Sequence, residues 1–282
     1  MQKTVSLVLG SGGARGYSHI GVIEALEEQG YEIVSISGSS MGALVGGLYA
    51  CGKLPEFKKW ILSLDMFEVI KLVDFSFAKN GMIKGDKVFD EIEKMVGKVN
   101  IEDLAITFTA VATNLESEKP VWFQKGDLLD AMRASVAIPT ILTPKKIGDD
   151  FLVDGGVLNP LPTVPLLATQ SDYTIAVNIH ADDEIRMIEN LPQQEGISNK
   201  ITSYLKENFF GEKTQELSSF TILSKTIEAM QNLLIRYELA SHKPDLVISI
   251  PKNICDFYDF HKAEELIAFG KKRATERLKQ LA

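Results

Sequence analysis

The first 52 residues repeat one pattern twice: a short apolar run, a turn rich in glycine, and a segment with apolar residues at helical spacing. The two apolar runs are Val5 to Leu9 and Ile33 to Ser37, and Gly30 and Gly52 stand where the two helices should end. A continuous apolar run bounded by glycine is typical of a parallel strand that is covered on both faces. Two such units in succession predict an α/β protein whose mostly parallel sheet lies between layers of helices.

The rest of the chain supplies further strands and a helical region. Five later segments have the length and apolar content of strands: Ile106 to Ala112, Pro120 to Phe123, Phe151 to Val153, Tyr173 to Ile179 and Leu246 to Ile250. Residues 181–240 carry helical periodicity around Ile201 to Phe209 and Ile227 to Leu234, which predicts helices packed on the sheet, with a mobile lid or a lipid-contacting surface as the alternative. We expect a single domain over residues 1–282, with a last strand and helix in 241–282.

Charge, cysteine content and apolar segments limit the cellular compartment and the classes of partner that we expect. A net charge of −8 and a pI near 5.2 disfavour nucleic acid as a partner. Cys51 and Cys255 are too few for a disulfide framework, and no stretch approaches the roughly 18 apolar residues of a spanning helix. The N-terminal apolar run ends in glycines, unlike a signal peptide. These features predict a cytoplasmic protein whose contact with membranes is at most peripheral.

The second turn, GSSMG at residues 38–42, has the form G-x-S-x-G. It stands between a predicted strand and a predicted helix, which is the setting of a nucleophile elbow, where a sharp turn exposes a serine hydroxyl. Ser40 is then the candidate nucleophile, and Gly38 and Gly42 relieve crowding around it. The alternative is a tight turn in which a serine caps the helix.

The first turn, GSGGARG at residues 10–16, offers bare backbone next to a helix N-terminus. Its Gly12 and Gly13 can present N–H groups to an oxyanion, which an activated serine would generate. A dinucleotide-binding loop is the competing interpretation, but Arg15 stands where G-x-G-x-x-G requires its third glycine. A Walker-type loop fails as well, because no Gly-Lys-Ser/Thr follows.

Two kinds of residue are candidates for the base that activates the serine. Asp154 follows a short predicted strand and precedes two glycines, so its carboxylate can point into a cleft at the sheet edge, although Asp-Gly turns are common. The chain has four histidines, and His180 at the end of a predicted strand would complete a Ser-Asp-His order. The alternative for His180 is a structural or exposed role.

Together, GSGGARG, GSSMG, RASVAIP at residues 133–139 and DGG at 154–156 resemble the motifs of the patatin-like phospholipases over about residues 5–180. The resemblance implies a three-layer α/β/α sandwich and a serine–aspartate dyad without histidine. Ser40 would be the nucleophile, Asp154 the base, and the N–H groups of Gly12 and Gly13 the oxyanion donors. Further residues match supporting positions of the family's motifs: Gly10, Arg15, Gly16, Gly38, Gly42, Gly155 and Gly156.

The resemblance also implies the substrate, a lipid ester such as a phospholipid, a lysophospholipid or an acylglycerol. We expect hydrolysis without a cofactor or a metal, since no cluster in the sequence has metal-ligand spacing. Arg15 is expected either to stabilise the oxyanion loop or contact a lipid phosphate, or else to form a structural salt bridge or lie exposed on the surface. Two alternatives remain open: a Ser-Asp-His α/β-hydrolase, and a non-catalytic lipid- or nucleotide-binding regulator on the same fold.

Overall fold

The structure, a computed structural model, describes residues 2–65, 67–69, 86–139, 141–182 and 219–281. The strands are β1 (Lys3–Leu9), β2 (Tyr31–Ser39), β3 (Thr107–Asn114), β4 (Lys119–Phe123), β5 (Lys145–Ile147), β6 (Asp150–Asp154), β7 (Tyr173–Ala181) and β8 (Leu246–Pro251). The α-helices are α1 (Ser18–Glu28), α2 (Met41–Ala50), α3 (Leu54–Ser63), α4 (Asp86–Val96), α5 (Leu128–Ser135), α6 (Ser219–Ser241) and α7 (Ala263–Leu278).

The described strands form one mixed sheet. Its order is β5-β6-β3-β2-β1-β7-β8, and β4 pairs with β3 outside this path. The run β3-β2-β1-β7-β8 is parallel, whereas β4, β5 and β6 join in antiparallel pairs. Every strand predicted from the sequence is present, and the prediction of an α/β protein with a mostly parallel sheet is confirmed.

Helices cover both faces of the sheet because the central strand β1 is apolar on both sides. Leu7 and Leu9 belong to the large core that α1, α2 and α7 complete. Val8, on the opposite face, packs with Ile235 of α6 in a second core. Burying each such side chain contributes about 1.5–3 kcal/mol. The two cores give the chain the three layers of an α/β/α sandwich.

The helix that follows the glycine-rich loop, α1, crosses α7 at backbone contact. A Cβ on Gly21 would lie 1.9 Å from the carbonyl oxygen of Ile267, and one on Gly270 would lie 2.1 Å from that of Ser18. Glycine at both positions permits this approach. The crossing anchors α1, and with it the loop that precedes it, to the C-terminal helix.

Part of the helical region predicted at 181–240 lies outside the described residues, which end at 182 and resume at 219. The helix predicted around Ile227 to Leu234 is present as α6, and the one predicted around Ile201 to Phe209 lies outside them. Among the described residues, no helix combines the length and the apolar character needed to cross a bilayer.

Candidate active site

Ser40 occupies a sharp turn at the carboxyl end of β2. The strand ends at Ser39 and α2 begins at Met41, so Ser40 alone forms the corner. Its φ of 54° and ψ of −125° are rarely adopted by L-residues, at a cost of about 1–3 kcal/mol. The residue is 2% exposed. This strained strand–turn–helix corner is the local structure of a nucleophile elbow.

Glycine is required around the site because neighbouring backbone comes too close for a Cβ atom. A Cβ on Gly42 would lie 2.2 Å from the carbonyl oxygen of Leu9, and one on Gly155 would lie 2.0 Å from that of Val111. The six glycines expected to support the site each have a contact at 2.9 Å or less, which is with backbone for Gly10, Gly38, Gly42 and Gly155 and with side chains for Gly16 and Gly156. These contacts bring the elbow, the glycine-rich loop and the DGG turn together.

Asp154 is the last residue of β6, and its carboxylate is buried beside Ser40. Its Oδ1 accepts a hydrogen bond from the Gly156 N–H at 2.7 Å, whereas Oδ2 has no partner at full hydrogen-bonding geometry. Burial raises the pKa of Asp154 to about 7, and interactions with the Ser40 hydroxyl and the Gly156 N–H oppose this rise. One oxygen of the carboxylate is therefore held by the backbone, and the other has no hydrogen-bond partner among the described residues.

The segment RASVAIP holds both residues. The Ser40 N–H donates to Ser135 Oγ at 2.9 Å, and the Asp154 N–H donates to the Ala137 carbonyl at 2.9 Å. Ser135 Oγ in turn donates to the carbonyl oxygen of Val111 at 2.6 Å. The sequence marked this segment only as a family motif, because nothing local indicates that a serine at the end of α5 bonds a residue 95 positions earlier.

The second half of the glycine-rich loop forms a 3₁₀ turn at Gly13–Tyr17. The N–H groups that flank Gly12 and Gly13, on Ser11 and Ala14, donate to backbone carbonyls at 2.8 and 3.0 Å. Among the described residues, no acceptor pairs with the N–H of Gly12 or Gly13. Gly13 has a φ of 57°, in the region that favours glycine. Two adjacent unpaired N–H groups suit an anion.

His19 positions this loop. Its side chain is fully buried, and Nε2 lies 2.8 Å from the carbonyl oxygen of Gly10. Burial lowers the pKa of His19 to about 4, so the ring is neutral at pH 7 and Nε2–H donates to the carbonyl. The His19 ring therefore stabilises the backbone of the glycine-rich loop through this hydrogen bond.

Arg15 is buried in a salt bridge, which is one of the roles expected of it. Its guanidinium bonds Glu228 of α6 at 3.1 Å, and the side chains are 3% and 39% exposed. Further hydrogen bonds run to the carbonyl oxygens of Gly12 and Lys252. This set of contacts ties the glycine-rich loop to α6 and occupies the donors that a lipid phosphate would need.

The inner face of α6 contacts the DGG turn as well. Gln231 is buried, and its Nε2 donates to the Gly156 carbonyl at 3.1 Å. One turn earlier, Glu228 bonds Arg15 of the glycine-rich loop. Neither side chain was identified from the sequence, because a polar residue on an amphipathic helix is usually solvated. This one helix therefore contacts two of the three segments that form the site.

His180, the candidate for a triad, is placed against the glycine-rich loop. Its Nε2 lies 3.3 Å from the position that a Cβ on Gly12 would occupy. Neither ring nitrogen has a hydrogen bond at full geometry. Burial, together with the charge of Arg15, lowers the pKa of His180 to about 3. The groups that perturb the pKa of Asp154 are Ser40 and Gly156, with no histidine among them.

Fold and site together define an α/β protein with a serine on a strained elbow, a buried aspartate beside it and a glycine-rich loop next to both. Comparisons with known proteins give the family. Residues 7–167 match the family described as patatin-like phospholipase. The chain belongs to this family, as the four sequence motifs indicated.

Two of the similar proteins carry NTE in their names. An uncharacterized NTE family protein of Mycobacterium bovis is 36% identical, over 97% of this chain and 91% of its own length. A protein of Debaryomyces hansenii named lysophospholipase NTE1 is 33% identical over 64% of this chain, which spans 12% of that longer protein. The crystal structure of VipD from Legionella pneumophila has a TM-score of 0.51 at 15% identity, covering 99% of this chain and 66% of that one.

Proposed function

We propose that this chain is a serine lipid acyl hydrolase that uses Ser40 as nucleophile and Asp154 as base. One observation carries the proposal: a strained serine lies beside a buried carboxylate whose pKa it lowers, and one oxygen of that carboxylate has no hydrogen-bond partner in the described part of the chain. The family and the relatives named lysophospholipase support the hydrolysis of a lipid ester. We infer that the substrate is a phospholipid or a lysophospholipid.

The reaction proceeds through an acyl-enzyme. Ser40 Oγ attacks the ester carbonyl carbon while its proton passes to Asp154 Oδ2, and the N–H groups of Gly12 and Gly13 receive the negative charge on the carbonyl oxygen. The protonated Asp154 then gives its proton to the departing alcohol. Water attacks the acyl-enzyme in the same way, with Asp154 again taking and returning the proton, and the fatty acid leaves.

The raised pKa of Asp154 suits this role. An ordinary aspartate, with a pKa near 3.9, is a weak base for an alcohol. A pKa of about 7 makes the carboxylate a stronger base that is still largely ionised slightly above neutral pH. The Gly156 N–H bonds Oδ1 and leaves Oδ2 without a hydrogen-bond partner among the residues that the structure describes, so Oδ2 is the oxygen proposed to take the serine proton.

The test is to incubate the folded protein with a lipid-like fluorophosphonate in EDTA and to map the adduct by peptide mass spectrometry. We expect one adduct, on Ser40, and release of fatty acid from lysophosphatidylcholine under the same conditions. A folded protein that forms no adduct but binds lipid vesicles or nucleotides would identify a non-catalytic regulator. An adduct without turnover of any lipid ester would contradict the substrate class.

Histidine replacement distinguishes the dyad from a triad. We expect His180→Gln to keep kcat within about tenfold of the parent, because the ring only packs against the loop. Loss of a triad histidine would instead cost about 10³-fold or more. His180→Leu is the second variant if the first unfolds, and thermal unfolding checks both. A folded His180 variant with a 10³-fold lower kcat would favour the triad.

A further inference from the structure

We propose that Ser135 is a positioning residue that holds Ser40 in its reactive conformation, an inference that rests on the proposed role of Ser40. Ser135 ends α5 and is fully buried. Its hydroxyl makes two hydrogen bonds, one accepted from the Ser40 N–H at 2.9 Å and one donated to the Val111 carbonyl at 2.6 Å.

The direction of the two bonds matters. A hydroxyl has a single proton, and because that proton goes to Val111, a lone pair is left to face the Ser40 N–H. The bond therefore fixes the plane of the peptide that precedes Ser40. That residue has positive φ without being glycine, so its corner persists only where surrounding groups hold it. The hydrogen bond from the Ser40 N–H to Ser135 stabilises this turn on the nitrogen side of Ser40.

The same short segment also sets the position of the base. Two residues after Ser135, the carbonyl of Ala137 accepts the N–H of Asp154 at 2.9 Å. The Val111 carbonyl, which takes the Ser135 proton, lies against Gly155, where a Cβ would be 2.0 Å from it. Ser40 and Asp154 are thus both hydrogen-bonded to the segment 135–137, so the distance between their side-chain oxygens depends on the position of that segment.

Ser135→Ala removes both hydrogen bonds, and Ser135→Thr keeps the hydroxyl. We expect Ser135→Ala to lower kcat and the rate of fluorophosphonate labelling about 10- to 100-fold with KM changed less than about threefold. Ser135→Thr should restore both to within about threefold. The matched control is Ser35→Ala, which removes another fully buried hydroxyl, bonded to Ser6 at 2.8 Å in the sheet. It should lower the melting temperature but leave kcat unchanged.

A readout independent of hydrolysis is the thiol introduced by Ser40→Cys. The pH dependence of its alkylation by iodoacetamide reports the pKa of this thiol, which the neighbouring carboxylate of Asp154 should raise. Peptide mass spectrometry distinguishes this adduct from adducts on Cys51 and Cys255. We expect Ser135→Ala in that background to lower the pH midpoint of alkylation toward that of an ordinary thiol.

The outcomes separate the two hypotheses. If Ser135→Ala lowers only the melting temperature, as Ser35→Ala does, and leaves the thiol midpoint unchanged, the positioning role is overturned. A folded Ser135→Thr that fails to restore the labelling rate overturns it as well. A parent protein without turnover contradicts the proposed function instead, and the thiol midpoint then still decides whether Ser135 sets the geometry of residue 40.

Discussion

Replacing Ser40 by alanine is expected to lower kcat/KM for lysophosphatidylcholine by at least about 10⁴-fold and to abolish the fluorophosphonate adduct. The change removes the only atom proposed to bond covalently with the acyl group, so the two-step route is lost. What remains is the effect of the N–H groups of Gly12 and Gly13 on an attack by water. Fatty acid release and intact-protein mass measure the two results.

The fold should survive this substitution. Ser40→Ala keeps the backbone conformation with its φ of 54°, and the Ser40 N–H still bonds Ser135. We expect the melting temperature to change by no more than a few degrees, since the hydroxyl is replaced by a methyl hydrogen in a pocket of fixed backbone. The matched control is Ser63→Ala at the exposed end of α3, which should keep adduct and turnover. Retained labelling in Ser40→Ala would mean that another nucleophile reacts.

The sheet, and the positions of Ser40 and Asp154 at the ends of its strands, could be predicted from the sequence because they depend on local signals. Continuous apolar runs marked the buried strands, Ser40 lies in a G-x-S-x-G turn after one of these strands, and Asp154 follows another and precedes Gly155. The strand Lys145–Ile147 was missed because three residues with two lysines carry no apolar pattern. Its pairing with β6, at the edge of the sheet, makes it a strand.

The hydrogen bonds and the salt bridge that hold the site together could not be predicted because they join residues far apart in the chain. Ser135 bonds Ser40 across 95 positions, and Glu228 bonds Arg15 across 213. The sequence left several roles open for Arg15, among them a salt bridge and a contact with a lipid phosphate, and only the folded position of α6 decides between them. In the same way, the burial that sets the pKa of His180 and Asp154 arises from packing that no short motif encodes.

Replacing Asp154 by asparagine is expected to lower kcat/KM by about 10³-fold and to remove its dependence on pH near neutrality. In the parent protein the active form has an ionised Asp154, so kcat/KM should rise with pH through about 7. Asparagine has the same shape and can still accept from the Gly156 N–H, but it cannot take the serine proton. The pH profile of hydrolysis between pH 5 and 9 measures both effects.

The same substitution should stabilise the protein, and by more at higher pH. Because burial raises the pKa of Asp154 from 3.8 to about 7, the folded state binds this proton more tightly than the unfolded chain does. Stability from the protonated carboxyl is therefore fully present below pH 4 and is lost as the pH rises through 7. Asparagine does not titrate, so the difference in unfolding free energy between the variant and the parent should grow as the pH rises from 4 to 7. It should reach up to about 4 kcal/mol, since one pKa unit corresponds to about 1.36 kcal/mol.

Urea denaturation at pH 5 and pH 8 tests this directly. We expect the difference in unfolding free energy between Asp154→Asn and the parent to be larger at pH 8. Higher stability together with lower activity would mean that burial of a charge is retained for its chemistry rather than for the fold. Asp149→Asn, in the exposed turn before β6, is the matched control and should keep the activity of the parent. An Asp154→Asn protein with full activity, or one destabilised more at pH 8 than at pH 5, would contradict the assignment of Asp154 as a buried base.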